Sequence, residues 1–374
     1  MADTAATSAA GRTLSDGSAG LAVLPIADPT PFVSPSSFFV ALPHDAVRDI
    51  GAWLDATLPT ATHEVRVRTR DDAAVDTSGT VSSVRSVDGA TMWITAPADT
   101  AATSAVVLHS TANDVRTGPA RLWRDTAVQI ARTGGVAVRY DRAGVGESGM
   151  VRRDNDFADL HSTDAIHDAH RATDLARSLT TGPLTHVGIC SGAWAAAAVA
   201  LDHAGTTGAE DGDRVPDRVV LINLLTWRRD APVLGAERLP ELLAPADPSG
   251  SPTVPLRARL KPLAVRWAPH VVFDAFARRG MMQSPRLLLT LLARADVETH
   301  LVFGTRDYRH FVGQRGLAAL AYTARYGRTA TVQVAPGGDH AAFHPVVRAA
   351  AITECLSAVQ SDAAAAAVNE VSKR

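Results

Sequence analysis

From Ala105 onward the chain alternates between short, continuous apolar runs and longer stretches with helical spacing, and this alternation constrains the fold more than any other feature. SAVVLHS, GVAVRYD, THVGIC, DRVVLIN, ETHLVFG and TATVQVA read as strands. ARLWRDTAVQIART, DAIHDAHRATDLARSL, SGAWAAAAVALDHA, VGQRGLAALAYTARYG and HPVVRAAAITECLSAVQ read as the helices that separate or follow them. Strands apolar on both faces belong inside a parallel sheet whose two sides are covered by helices. Ahead of this unit, EVRVRTR (64–70), TVSSVRSV (80–87) and ATMWITA (90–96) are strand-like, and Asp88-Gly89 between the last two predicts a tight hairpin. A short amphipathic helix is expected over 45–56, with Val47, Ile50 and Leu54 on one face.

The alternation stops between about Thr226 and Leu292, where prolines, arginines and the clusters VVFDAF and RLLLTLL stand without a clear strand. An insertion of this size in a parallel-sheet protein is expected to form a helical lid over the carboxyl ends of the strands, where such folds bind ligands. Trp227, Trp267, Phe273, Phe276, Met281 and Met282 then become candidates to wall an apolar pocket, the alternative being that they pack only among themselves. The resulting organisation is a tail over 1–30, a first core segment over 31–225, the lid over 226–292, a second core segment over 293–362 and a tail over 363–374.

With 46% hydrophobic residues in 374, the chain can bury a large core. Its 37 basic and 39 acidic residues leave no net field to hold nucleic acid or an anionic membrane. Two cysteines, Cys190 and Cys355, are too few for a disulfide framework or a thiolate metal site. The acidic, small-residue opening lacks the pattern of a secretory signal, and no run approaches the roughly 18 apolar residues of a membrane span, so a soluble cytoplasmic protein is expected.

THVGICSGAWAAAAVA turns from a strand into an alanine-rich helix at Gly188-Ile189-Cys190-Ser191-Gly192. A cysteine at such a bend is either a packed thiol or a nucleophile whose thiolate is favoured by the following helix N-terminus. His340, in the loop GGDHAAF after the last strand, could take the thiol proton, with His310 and His344 as rivals. Asp307, in FGTRD, could orient the imidazole or simply cap a loop. His167 and His170 share a helix face without neighbouring ligands, and no metal site is expected. DRAGVGESG lacks the continuation of a dinucleotide loop and reads as a structural turn.

Taken in order, DRAGVGESG, the GICSG elbow, the lid-sized insert, FGTRD and GGDHAAF resemble the α/β-hydrolase family over roughly 64–360, in particular its lidded, serine-aminopeptidase-like branch. A G-x-C-x-G elbow is similar to that of dienelactone hydrolase-like members. The resemblance implies an α/β-hydrolase fold, a mostly parallel sheet flanked by helices, and a triad of Cys190, Asp307 and His340 with no cofactor. It also implies an oxyanion hole from the Ser191 N–H and a group on the loop after VVLHS, Thr111 or Ser110. The implied activity is acyl transfer through a covalent acyl-thioester on an ester, lactone or thioester, as in a thioesterase, acyltransferase or cyclase. The substrate would be a small acyl compound, free or bound to a carrier or coenzyme. The alternative is a non-hydrolytic binding protein or cofactor-free lyase on the same fold.

Overall fold

The computed structural model describes residues 44–58, 74–76, 79–111, 114–148, 161, 163–206, 215–227, 269–279, 283–327 and 330–371. They fall in two units, Met1–Arg70 and Asp71–Arg374. Of the first, the described part is helix α1 (His44–Thr57), on which Ile50 is half-buried while Val47 and Leu54 are exposed. The expected strand 64–70 lies outside the described residues.

The second unit is built on a nine-stranded sheet of order β1-β2-β3-β5-β4-β6-β7-β8-β9. Its strands are β1 (Ala74–Asp76), β2 (Thr80–Val87), β3 (Ala90–Pro97), β4 (Ser104–His109), β5 (Gly135–Tyr140), β6 (Leu184–Ile189), β7 (Arg218–Ile222), β8 (Glu298–Gly304) and β9 (Thr331–Ala335). The first three strands pair antiparallel, and the tight β2–β3 turn sets Val87 opposite Ala90. That turn holds Asp88 at φ 48° and Gly89 at φ 80°, the left-handed pair an Asp-Gly hairpin needs. From β5 to β9 every pairing is parallel.

Period two in the central strands sends alternate side chains to opposite faces. Val219 and Leu221 of β7 pack with α4 (Ser191–Thr206), α6 (Pro285–Arg294) and α8 (Gly316–Thr323), whereas Val220 and Ile222 pack with α2 (Leu122–Arg132) and α9 (Pro345–Val371). A third cluster joins Val107 and Val138 to α3 (Thr163–Leu179) through Ala169, Ala172 and Ala176. Each buried Val, Leu or Ile contributes about 1.5–3 kcal/mol relative to exposure. Helix α4 is apolar all round because it is buried all round, and its alanines permit close approach to the strands.

The strand order reverses at β4, with β5 on one side and β6 on the other. In an open parallel sheet the crevice at the carboxyl ends of such strands is where ligands bind. The loop after β4 and the β6–α4 bend stand on its two sides.

The segment expected as a lid is described only at its beginning and its end. Helix α5 (His270–Arg278) exposes Phe276 and buries Phe273. Helix α6 belongs to the core layer, with Leu288, Leu289 and Leu292 buried among Phe303 and Phe311, so the leucine run RLLLTLL serves the sheet. Ser284 caps α6, accepting from Leu287 N at 3.2 Å, and Pro285 follows at the first helical position.

Candidate active site

Cys190 sits at φ 53° in the left-handed region, a conformation that costs a side-chain-bearing residue on the order of 1–3 kcal/mol. The surroundings enforce it. Its N–H donates to Ile222 O at 2.9 Å, and its carbonyl accepts from Trp194 N at 3.2 Å to start α4. A Cβ on Gly188 would run into the backbone of Gly192, and one on Gly192 would run into the carbonyls of His109 and Ser110. The G-x-C-x-G spacing is thus dictated by strand and helix backbones that nearly touch.

His340 follows β9, and its Nδ1 lies 2.8 Å from Oδ1 of Asp307. Asp307 is buried in the first turn of α7 (Thr305–Gly313), where the helix dipole favours a carboxylate. The same imidazole faces the Cys190 side chain closely enough for the two to interact electrostatically. Burial opposes the charged imidazole, but the Asp307 hydrogen bond and the charges of Asp307 and Cys190 outweigh it and push the His340 pKa up to about 10. The arrangement favours an imidazolium beside the Asp307 carboxylate.

Asn223 is a residue that sequence reading did not single out. It is fully buried just past β7 at φ 49°, a region asparagine tolerates better than most residues. Its Nδ2 donates to Asp339 O at 2.9 Å and to His340 O at 2.7 Å, and its Oδ1 accepts from Gly304 N at 2.8 Å. One amide therefore ties the His340 loop to the end of β8, three residues before Asp307.

Of the oxyanion candidates, Ser191 is the buried first residue of α4 and Thr111 is buried on the loop after β4. Ser110 donates its hydroxyl proton to Val115 O at 3.1 Å. That loop is braced by Arg116, whose N and Nη1 donate to Asp141 at 2.6 and 2.7 Å and whose guanidinium lies 3.5 Å from the centre of the Trp93 ring. Asp141 opens DRAGVGESG and also accepts from Glu147 N at 3.1 Å, so this motif anchors the loop.

The rivals of His340 have other settings. His310 lies on α7, its pKa lowered by burial. His344 is exposed ahead of α9, and its N–H donates to Asp339 at 2.8 Å. Among the described residues, no group of three or more His, Cys, Asp or Glu is arranged to hold a metal ion.

Of the six residues expected to wall a pocket, the three that are described separate. Trp227 is buried in the core with its ring 5.2 Å from that of Phe311, Phe273 lies under Arg315, and Phe276 is exposed. Trp267, Met281 and Met282 lie outside the described residues. A solvent-open recess does adjoin the elbow, but Ser110, Tyr140, Arg142, Ser191 and Gly192 line it with two alanines, and Trp227, Phe273 and Phe276 do not.

Strand order, switch point and strained elbow together define the architecture. This is the α/β-hydrolase fold. No family model matches the chain, and no curated protein does. Among solved structures it is similar to a dienelactone hydrolase from Anabaena variabilis, at 13% identity and TM-score 0.45 over 77% of this chain and 97% of that one. A thermostable esterase from Pseudomonas putida gives 18% identity and TM-score 0.41 over 95% and 96% of the two chains. A thioesterase domain from the curacin biosynthetic pathway gives 15% and 0.42 over 76% and 100%. Likeness at this level bears on no residue and no activity of this chain. Among the described residues, no helix is long and apolar enough to cross a membrane.

Proposed function

We propose that the chain is an acyl-transferring enzyme that cleaves an ester, lactone or thioester through a covalent thioester on Cys190. The observation that carries this reading is the meeting of Cys190, at a strained strand–helix bend, with the His340 imidazole held by Asp307. A buried structural thiol has no need of a positive φ or of a charged imidazole beside it.

In this reading the thiolate attacks the acyl carbonyl, an S–C bond forms, and the carbonyl electron pair moves onto oxygen. The Ser191 N–H and a donor from the loop carrying Ser110 and Thr111 would stabilise that oxyanion. Collapse breaks the bond to the leaving group, which takes its proton from His340. An acceptor then gives a proton to His340 as it attacks the thioester, and the S–C bond breaks. Asp307 keeps the ring oriented and stabilises its charged form. Thioesters react with amines and thiols more readily, relative to water, than oxygen esters do, so a site that excludes water would favour transfer over hydrolysis.

Iodoacetamide provides the test. Peptide mapping should find fast alkylation at Cys190, slowed at least about tenfold in His340→Gln, because a neutral amide cannot hold the thiolate. Equal labelling of the two proteins would remove His340 from the reading.

A further inference from the structure

Behind the loop after β4 runs a buried chain of polar side chains that the reaction above does not use. Tyr140 Oη lies 2.7 Å from His109 Nδ1, His109 Nε2 lies 3.2 Å from His186 Nδ1, and His186 Nε2 lies 3.4 Å from Thr173 Oγ1. Thr173 in turn donates its hydroxyl proton to Ala169 O at 2.8 Å. All four residues are buried, Tyr140 at 5% exposure and the other three at 0%. Burial holds both imidazoles neutral, His109 at about 3 and His186 well below its ordinary value.

Two neutral imidazoles carry one N–H each, and the end of the chain fixes where each proton lies. Thr173 spends its proton on Ala169 O, so its oxygen accepts from His186 Nε2–H. His186 Nδ1 is then an acceptor, which requires the proton of His109 on Nε2. His109 Nδ1 is therefore also an acceptor, and the Tyr140 hydroxyl donates to it. Tyr140 is also one of the residues that line the recess beside the elbow, and its oxygen keeps lone pairs but no proton to give. Ser110 has likewise given its proton to Val115 O. Among the described lining residues, Arg142 is the cationic donor that stands with these two acceptors.

We propose that this recess is a subsite for a neutral hydroxyl group of the substrate, which donates to Tyr140 and accepts from Arg142. The inference deepens the acyl-transfer reading by naming the substrate class, a hydroxylated acyl compound, and rests on it for that role. A ketone oxygen in the same place can accept from Arg142 but has no proton to give to the Tyr140 oxygen. An ammonium would meet the guanidinium.

The test is binding, which needs no turnover. Ligand-observed NMR titration of the full chain with 3-hydroxybutanamide, 3-oxobutanamide and succinamate compares a hydroxyl, a ketone and an anion on similar frames. The hydroxyl amide should bind about tenfold more tightly than the ketone, as expected when a buried acceptor would otherwise go unpaired. Tyr140→Phe should bring the two within about twofold. Thr173→Val lies outside the recess and removes the group that orients the chain. His186 can then carry its proton on Nδ1, Tyr140 becomes free to donate, and the preference should fall or invert. Equal binding of hydroxyl and ketone by the wild type, or a hydroxyl preference that survives both variants, would overturn the proposal. So would tighter binding of succinamate, which would make the recess an anion site set by Arg142. The acyl-transfer reading fails separately, by the absence of acylation at Cys190.

Discussion

The chain has two cysteines, and the structure treats them in opposite ways. Cys355 lies on α9, fully buried among Ala351, Val359 and their neighbours, and burial pushes its thiol well above the ordinary range. It is a small apolar side chain in a helix. Cys190 is only partly buried, has left-handed backbone geometry and faces an imidazole raised to about 10. The difference is made by backbone and partners, since the side chain is the same. A thiol becomes a nucleophile where a turn exposes it and a cation stands beside it.

The largest effect expected from breaking this contrast is at Cys190. Cys190→Ala should lower kcat at least about 10³-fold with little change in melting temperature, because truncating a partly exposed elbow side chain removes little packing. Cys355→Ser should leave kcat/KM unchanged. Steady-state kinetics and thermal melts on the pair separate the two roles. If Cys355→Ser lost as much activity as Cys190→Ala, the contrast would collapse.

Next in size is Asn223. Asn223→Ala removes the three hydrogen bonds that join the His340 loop to the end of β8, and kcat should fall about 10- to 100-fold with a smaller change in KM. A pure stability loss would lower the melting temperature without altering the pH profile of kcat. A positioning role should alter that profile through His340.

A smaller, pH-dependent effect follows from the direction of the His340 shift. Its folded value is raised above the unfolded one of 6.5, so its contribution to stability is complete below 6.5 and is lost as pH rises through about 10. Melting temperature should therefore decline between pH 7 and pH 10 in the wild type, and decline less in Asp307→Asn, which lacks the carboxylate partner. Parallel slopes would show that the ion pair does not form. Smallest of all is the stability cost of Cys355→Ser, about 1–3 kcal/mol for a hydroxyl buried without a designed partner, read by denaturant unfolding.

Much of this architecture was legible because its signals are local. The runs from SAVVLHS to TATVQVA are parallel strands, Asp88-Gly89 closes the hairpin, and the glycines around Cys190 mark a close approach of backbones. The three-residue strand β1 (Ala74–Asp76) carries too little pattern to be seen. That helix α6 belongs to the core and not to a lid was hidden, because the sequence before it has no periodic pattern and only the packing of Leu288 and Leu292 against β8 and its neighbours distinguishes the two. Trp227 looked like a pocket wall for the same reason and is core. Asp307 reads as a loop residue in GTRD but occupies the first turn of a helix. Asn223 could not be found at all, since its role depends on a left-handed φ and on carbonyls more than a hundred positions away. The histidines of the buried chain lie at alternating positions in apolar strands, where only their partners across the sheet and on α3 reveal the hydrogen bonds.

The central claim is that Cys190 carries the acyl group, and intact-protein mass spectrometry reads it directly. After incubation with a panel of acyl thioesters and activated esters, the wild type and Cys355→Ser should each gain the mass of one acyl group, mapped to the peptide containing Cys190. Cys190→Ala should gain none, and His340→Gln should gain it far more slowly. An adduct that persists in Cys190→Ala, or that maps to Cys355, would contradict the account.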